Sequence, residues 1–229
     1  MAFTLEKVVP WGRSLAEYAA MFALTESDLA HRILGCGDGP ASFNAELTAR
    51  GGQVVSVDPI YRFASAEIRQ RIDAIYPEVM AQTRANPDEF VWTTIKSVEE
   101  LGRQRLAAMA TFLADFATGL DQGRYRNGLL PRLPFREGDF KLALCSHLLF
   151  LYGELFSEDF HVEAIREMCR VAGEARVFPL LELGAKPSRH LPSVSKRLAA
   201  AGYEVKVVPV DYEFQRGGNQ MLRIIKPRS

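Results

Sequence analysis

Short apolar runs alternate with stretches of helical periodicity along most of this 229-residue chain. Glycine, proline or acidic residues bound the apolar runs, which is typical of buried β-strands. The runs span residues 32–34, 53–57, 141–145, 175–181, 203–210 and 220–225. A polar, glycine-bearing connection joins the last two runs, which we therefore expect to pair antiparallel. Strands that alternate with helices predict an α/β fold with a mostly parallel sheet.

Residues 62–123 depart from this alternation, since two helical patterns follow one another there without a strand between them. The apolar stripe of the first helix comprises Ile68, Ile72, Ile75 and Val79. A capping-box sequence that begins at Ser97 opens the second helix. Its predicted inward-facing residues are Leu101, Ala108, Met109, Phe112, Phe116 and Leu120. The segment either thickens the helical layer or forms a lid, and the sequence leaves both open.

Length and composition indicate a single domain, residues 1–229, with further helices in residues 1–30. The 28 basic residues balance the 28 acidic ones, so no net field attracts nucleic acid or an anionic membrane. The sequence has no run of about eighteen apolar residues that could span a bilayer. Residues 1–10 lack a signal-peptide pattern, and the three cysteines have no metal-binding or disulfide spacing. We therefore expect a cytoplasmic protein without a metal site.

The most informative segment is residues 32–59, where an apolar strand runs into Gly35, Gly37 and Gly39. Glycines allow a tight turn and a close approach of the backbone to a ligand. The next strand ends at Asp58, which is placed to accept hydrogen bonds from a ribose diol. The segment predicts a nucleotide-type cofactor site at the first turn of a βαβ unit. A glycine turn followed by an acid that caps a helix or turn would give the same pattern.

The spacing of the glycines bears on the identity of the cofactor. A dinucleotide-binding loop has the pattern G-x-G-x-x-G, but Pro40 occupies its third glycine position here. The observed G-x-G-x-G pattern resembles the first motif of class I S-adenosylmethionine-dependent methyltransferases. Residues 133–144, which begin with Leu-Pro-Phe, and residues 166–171 resemble two further motifs of this family. The resemblance covers residues 30–60 and 124–229.

The resemblance implies an α/β fold with a doubly wound, mostly parallel seven-stranded sheet. It also implies an antiparallel C-terminal hairpin, with the helical insertion lying between the second and third strands. The implied cofactor is S-adenosylmethionine, with Asp58 bonded to the ribose and with Pro59 and Ile60 beside the adenine. The cofactor-binding residues expected on this basis are Gly35, Cys36, Gly37, Asp38, Gly39, Asp58, Pro59 and Ile60.

Two positions depart from the family pattern. An acid usually precedes the first glycine by two residues, and this position is Ile33 here. A second acid often lies shortly before Leu-Pro-Phe, where this chain has Leu129. We expect adenine recognition to depend on backbone groups and apolar contacts, and we consider Asp38 as a replacement for the acid missing at Ile33.

Residues that follow the strands are candidates for the substrate side of the site. His147 could take a proton from an attacking nucleophile, or it could simply bond a loop carbonyl. The other expected substrate-side residues are Tyr152, Phe156, Tyr212, Phe214 and Asn219. Arg13 could reach the cofactor carboxylate. We expect His161 and His190 to be surface residues at the starts of helices.

The favoured hypothesis is an S-adenosylmethionine-dependent methyltransferase that acts on a small molecule. A nicotinamide-dependent oxidoreductase is disfavoured by Pro40 and by the C-terminal hairpin. The departures at Ile33 and Leu129 keep open a methyltransferase-like protein that binds a ligand or partner without catalysis. A nucleic-acid acceptor is not expected, because the sequence lacks basic clusters and lacks the Asn-Pro-Pro-aromatic sequence of amino-targeting nucleic-acid methyltransferases.

Overall fold

The computed structural model describes residues 3–227, which form an α/β fold around one large sheet. Its strands are β1 (Arg32–Cys36), β2 (Gln53–Val57), β3 (Tyr125–Arg126), β4 (Phe140–Ser146), β5 (Ala172–Phe178), β6 (Leu181–Glu182), β7 (Lys186–Pro187), β8 (Glu204–Pro209) and β9 (Gln220–Ile225). Seven of them form the large sheet in the order β3-β2-β1-β4-β5-β9-β8, and β6 pairs separately with β7.

The helices of the described residues flank this sheet. They are α1 (Leu15–Met21), α2 (Glu26–Leu29), α3 (Phe43–Ala49), α4 (Ser65–Ala85), α5 (Val98–Asp121), α6 (Glu158–Val171) and α7 (Leu191–Ala200). Short 3₁₀ turns occupy Pro59–Arg62, Pro87–Glu89 and Phe150–Tyr152. The expected capping box at the start of α1 is present, since the side chains of Ser14 and Glu17 each accept the other's backbone amide.

The direction in which successive strands are added to the sheet reverses beside β1. Within residues 3–227 every pairing in the large sheet is parallel, except those that β9 makes with β5 and β8. The mostly parallel seven-stranded sheet with an antiparallel C-terminal hairpin is thus confirmed. β2 and β3 lie on one side of β1, whereas β4 lies on the other. Open α/β sheets bind ligands at such a reversal, beside the carboxyl ends of the strands.

Both faces of the sheet are covered by helices. Leu34 and Val55 pack in a core with residues of α6 and α7, whereas Ile33 and Val54 pack with residues of α1 and α3. Successive side chains of a strand point to opposite faces, so neighbouring residues of one strand serve different helical layers. This is the doubly wound arrangement that the family resemblance implies.

Among the strands of the large sheet, β5 and β3 differ most from the prediction. β5 begins at Ala172 and ends before Pro179, because Gly173 continues in the strand instead of ending α6. The pattern does not predict β3, since a strand of two residues carries no readable periodicity.

The helical insertion between β2 and β3 is confirmed and consists of α4 and α5. Phe112 of α5 packs with Tyr61 and Tyr125 at the β2–β3 edge of the sheet. The expected inward orientation of Leu120 is wrong, since this side chain is 44% exposed. Its neighbour Gly119 faces Tyr125, where an added Cβ would lie 2.3 Å from the ring. Adjacent residues of a helix point in different directions, so Leu120 turns outward.

Within residues 3–227, no helix has the length and apolar character needed to cross a bilayer. The same residues contain no group of three or more His, Cys, Asp or Glu side chains that could hold a metal ion. Cys36, Cys145 and Cys169 are buried free thiols.

Candidate functional site

A cavity of about 730 Å³ opens at the carboxyl ends of β1, β2 and β4. We define its floor as the lining residues that follow these strands, in the ranges 36–39, 57–60 and 146–148. We define its roof as the lining residues in the ranges 3–11 and 74–83, together with Phe90 and Phe214. The volume lies within the range of small-molecule sites, about 300–1,000 Å³.

The glycine turn follows β1 directly and lies in the floor. Gly37 and Gly39 have φ values of +70° and +53°, a region of backbone conformation that favours glycine. The Gly37 amide donates to the Val57 carbonyl oxygen at 2.8 Å. A Cβ at Gly37 would lie 2.5 Å from a methyl carbon of Leu148. Glycine is therefore required here both for conformation and for space.

Asp38 lies in this turn, but its carboxyl is directed toward Gly35 within β1, where an added Cβ would lie 1.8 Å from Oδ2. The Tyr18 hydroxyl donates to Oδ1 at 2.8 Å, and the Ser56 hydroxyl donates to Oδ2 at 2.6 Å. Burial raises the pKa of Asp38 to about 7, although both hydroxyls oppose the shift. Asp38 therefore ties α1 and β2 to the turn. Ile33 is fully buried in the core and supplies only apolar contacts.

Asp58 follows β2 and accepts two backbone hydrogen bonds. The Gly39 amide donates to Oδ2 at 2.9 Å, and the Ile60 amide donates to Oδ1 at 2.8 Å. Burial raises the pKa of this carboxyl to about 6, against the effect of both amides. A carboxylate offers about four acceptor sites, so about two remain for a ligand. The capping role of Asp58 is observed, and its ribose-binding role stays a prediction.

The surroundings of Asp58 fit a nucleoside group. At Gly39, only the Asp58 carboxylate lies within 4 Å of an added Cβ, at 3.9 Å, so the backbone there is open. Pro59, Ile60 and Leu129 add apolar surface to the cavity, and Leu129 is 62% exposed. An acid with spare acceptor capacity next to open backbone and apolar walls matches a ribose and a flat base.

His147 comes directly after β4 and lines the cavity. It adopts a left-handed conformation, with φ of +51°, and its amide donates to the Phe178 carbonyl oxygen at 2.6 Å. Its Nδ1 lies 2.9 Å from the Ser146 hydroxyl. Burial, together with the charges of Arg13 and Arg105, lowers the pKa of His147 well below 6.5. The imidazole is therefore neutral at pH 7.

The structure brings together three of the five expected substrate-side residues. Tyr152, Phe156 and Phe214 line the cavity. Tyr212 instead donates its hydroxyl to Glu17 Oε1 at 3.1 Å. Asn219 is exposed and donates to a Glu213 carboxylate oxygen at 3.3 Å. Neither Tyr212 nor Asn219 contributes to the cavity lining that the described residues form.

The expected surface position of His161 is wrong. This side chain is fully buried, with Nδ1 at 2.7 Å from the Ser157 carbonyl oxygen and Nε2 at 3.1 Å from that of Leu149. The physical reason is the rotation of α6, which turns His161 toward the loop after β4. His190 does precede α7 as expected, and its Nε2 lies 2.9 Å from the Gly153 carbonyl oxygen.

The sequence reasoning missed a charged cluster beside the cavity. Arg105 of α5 is fully buried, and its Nη1 donates to Glu17 Oε2 at 2.7 Å. Arg13, which lines the cavity, lies close enough to lower the pKa of Glu17 together with Arg105. A signal for Arg105 exists in the sequence, because it lies on the same helical stripe as Leu101 and Met109. A charged residue within an apolar stripe indicates a buried ion pair.

Comparison with known proteins identifies a relative of similar length. The uncharacterized protein MJ0045 of Methanocaldococcus jannaschii is 32% identical over 224 residues, which cover 96% of this chain and 97% of that protein. No protein-family model matches the chain.

Solved structures with a similar chain path include two methyltransferases. Magnesium protoporphyrin IX methyltransferase (ChlM) from Synechocystis PCC 6803, with bound SAM, has a TM-score of 0.47 and 9% identity; the match covers 93% of this chain and 77% of that chain. A SAM-dependent methyltransferase from Aquifex aeolicus has a TM-score of 0.44 and 15% identity, with coverages of 92% and 87%. The identities are too low to transfer a substrate or a residue's role.

Proposed function

The chain belongs to the same family as MJ0045 of M. jannaschii, and we propose that it is an S-adenosylmethionine-dependent methyltransferase with a small-molecule acceptor. The observation that carries the proposal is the floor of the cavity, where the glycine turn and Asp58 meet beside the reversal of the strand order. The G-x-G-x-G spacing and the antiparallel strand β9 support it, because both match the resemblance to class I methyltransferases.

The floor would hold the cofactor. The remaining acceptor sites of Asp58 would bond the ribose hydroxyls, while Pro59 and Ile60 would contact the adenine. The open backbone at Gly39 would approach the rest of the molecule. When bound, S-adenosylmethionine supplies a methyl group on a positively charged sulfur. The task of the chain is then to align the acceptor with this methyl group and to exclude water.

His147 and three aromatic residues of the cavity lining would serve the acceptor. The imidazole is neutral and so has one nitrogen free to accept a proton from an attacking hydroxyl or amine, although its lowered pKa makes it a weak base. If Nδ1 donates to Ser146, Nε2 is the accepting nitrogen. Tyr152, Phe156 and Phe214 offer aromatic surface to an apolar part of the acceptor. The balanced charge of the chain favours a small molecule over nucleic acid.

Calorimetric titration with S-adenosylhomocysteine tests the cofactor, and NADH serves as the control ligand. We expect S-adenosylhomocysteine to bind with micromolar affinity and NADH to give no saturable heat. Binding of NADH in place of S-adenosylhomocysteine would support an oxidoreductase. Silence toward both ligands would overturn the cofactor assignment.

Replacement of His147 tests the proton-accepting role. We expect His147→Ala to leave the dissociation constant of S-adenosylhomocysteine unchanged and to lower turnover of an identified acceptor about 10²-fold or more. The variant should also remove the pH dependence of turnover that arises from this imidazole. Unchanged turnover would show that alignment of the acceptor suffices without a base.

A further inference from the structure

Two arginines lie near the carboxylate of Glu17 beside the cavity, and Arg105 is the one bonded to it. Arg105 donates from Nη1 to Glu17 Oε2 at 2.7 Å, and the Arg105 side chain is 1% exposed. Within residues 3–227, Nε and Nη2 of Arg105 and Nε of Arg13 are buried without a hydrogen-bond partner. Buried guanidinium groups normally have their donors satisfied, because each unmet donor is costly. The cluster therefore lacks an acceptor.

Glu17 does not satisfy these donors in the structure, and both of its oxygens already accept other hydrogen bonds. Oε2 accepts from Arg105 and from the backbone amide of Ser14 at 3.0 Å. Oε1 accepts from the Tyr212 hydroxyl at 3.1 Å. Two arginines and one glutamate carry a formal charge of +1 in a poorly hydrated place. A second anion in the cavity would balance this charge and offer an acceptor to Arg13, which lines the cavity.

The backbone around Arg13 fixes this charge next to the glycine turn. The Ser42 amide donates to the Arg13 carbonyl oxygen at 3.0 Å. A Cβ at Gly12 would lie 2.1 Å from the Pro40 carbonyl oxygen, so the two segments are in close contact. Arg13 also lines the cavity and acts electrostatically on His147. The segment that carries Arg13 is therefore fixed beside the glycine turn, with its guanidinium within electrostatic reach of His147.

We infer that Arg13, supported by Arg105 and Glu17, forms a carboxylate-binding site for the ligand of this cavity. A guanidinium binds a carboxylate through two parallel hydrogen bonds, which gives both affinity and orientation. The inference deepens the proposed function and rests on it for the location of the ligand. Two sources offer the same chemistry: the aminoacyl end of the cofactor and a carboxylate on the acceptor.

The first arm of the test uses S-adenosylhomocysteine and 5′-methylthioadenosine, which keeps the adenosine and the thioether but lacks the aminoacyl carboxylate. If the cofactor supplies the carboxylate, Arg13→Gln weakens the binding of S-adenosylhomocysteine roughly tenfold or more. Binding of 5′-methylthioadenosine then stays within about twofold. Arg62→Gln is the matched control, because Arg62 is an exposed arginine that lines the same cavity.

The second arm uses benzoate as the probe, with benzamide as its neutral counterpart, on protein saturated with S-adenosylhomocysteine. Fluorescence of Trp11, which lines the cavity, reports binding. If the acceptor supplies the carboxylate, benzoate binds more tightly than benzamide, and Arg13→Gln removes the difference. Cooperative thermal unfolding of each variant checks its fold. Arg13→Lys keeps the charge but loses the planar fork of the guanidinium. It should therefore lose less affinity for the carboxylate ligand than Arg13→Gln.

The inference is overturned if Arg13→Gln changes neither the preference for S-adenosylhomocysteine over 5′-methylthioadenosine nor the preference for benzoate over benzamide. It is also overturned if the variant weakens the binding of S-adenosylhomocysteine and that of 5′-methylthioadenosine equally, since Arg13 would then only shape the cavity. Failure of the proposed function looks different. In that case neither adenosine ligand binds the wild-type protein, while an Arg13-dependent preference for benzoate, measured without S-adenosylhomocysteine, would still support the carboxylate site.

Discussion

The floor and the roof enclose the same cavity but are built by different means. In the floor, residues 19 positions apart are joined directly, as the Gly39 amide is to the Asp58 carboxylate. In the roof, distant segments meet: the rings of Phe90 and Phe214 stack with centroids 4.9 Å apart. The Phe3 amide donates to the Glu89 carboxylate at 3.0 Å. Local sequence thus specifies the polar groups of the floor, whereas the shape of the roof depends on the tertiary fold.

Arg216 shows how the distant segments of the roof are joined. Its amide donates to the Glu89 carbonyl oxygen at 2.8 Å. Its guanidinium donates to the carbonyl oxygens of Asp88 at 2.8 Å and of Phe90 at 3.1 Å. The connection between β8 and β9 is thereby fastened to the helical insertion. Phe214 lies within this connection and is held over the cavity as a result.

The largest expected effect concerns the roof. Phe214→Ala should destabilise the protein by about 3–5 kcal/mol, because Phe214 is 8% exposed and packs against both Phe90 and Trp92. The affinity for S-adenosylhomocysteine should stay within about twofold, since the floor is intact. Urea unfolding and calorimetry measure the two quantities. Val207→Ala, at a residue 46% exposed, is the control and should cost less than about 0.5 kcal/mol. A large loss of cofactor affinity would show that roof and floor are not separable.

The next largest effect is the pH dependence of stability that arises from Asp38 in the floor. Burial raises its pKa from 3.8 to about 7, so between these values the folded state binds a proton that the unfolded state does not. Stability should therefore fall as the pH rises from 4 to 7, by an amount on the order of 3 kcal/mol from this group. Asp38→Asn mimics the protonated acid and should flatten this part of the profile of unfolding free energy against pH. An unchanged slope in Asp38→Asn would contradict the assignment of this pH dependence to Asp38. Asp121→Asn, at an exposed position, serves as the control.

The smallest expected effect concerns the ligand contact of the floor. Asp58→Ala should weaken binding of S-adenosylhomocysteine by about 1–3 kcal/mol, because the ribose loses its acceptor and the Gly39 and Ile60 amides lose theirs. Calorimetry compares the variant with the wild-type protein and with Asp121→Ala. Stability should change far less than in Phe214→Ala. Equal affinity in wild type and variant would remove Asp58 from the ligand site.

The sequence predicts the sheet and the floor well because their signals are local. The apolar runs locate most strands, and the glycine spacing with Asp58 locates the turn at which the cavity opens. Secondary structure alone does not predict what Asp38 contacts, since its partners Tyr18 and Ser56 come from two other elements. The direction of its carboxyl is a tertiary property.

The charged cluster and the roof are the parts that the sequence predicts least. Arg105 and Glu17 are 88 positions apart, and no periodicity connects one to the other. The same holds for His161, whose buried position depends on the loop after β4. Residues of the N-terminal segment and of the insertion become part of the site only when the helices pack. Pattern reasoning finds each helix but not the partners of its polar side chains.

The Arg216 contacts have a consequence for the nascent chain. When translation has produced only the first five strands of the large sheet, every residue of the floor is present, but Phe214 and Arg216 are still to be added. The insertion segment at Asp88–Phe90 then lacks its contacts with the connection between β8 and β9. The part of the roof that Phe214 forms is fastened only after residue 216 has emerged from the ribosome. Completion of the roof is therefore a late event in biosynthesis, whereas the chemistry of the floor is synthesised early.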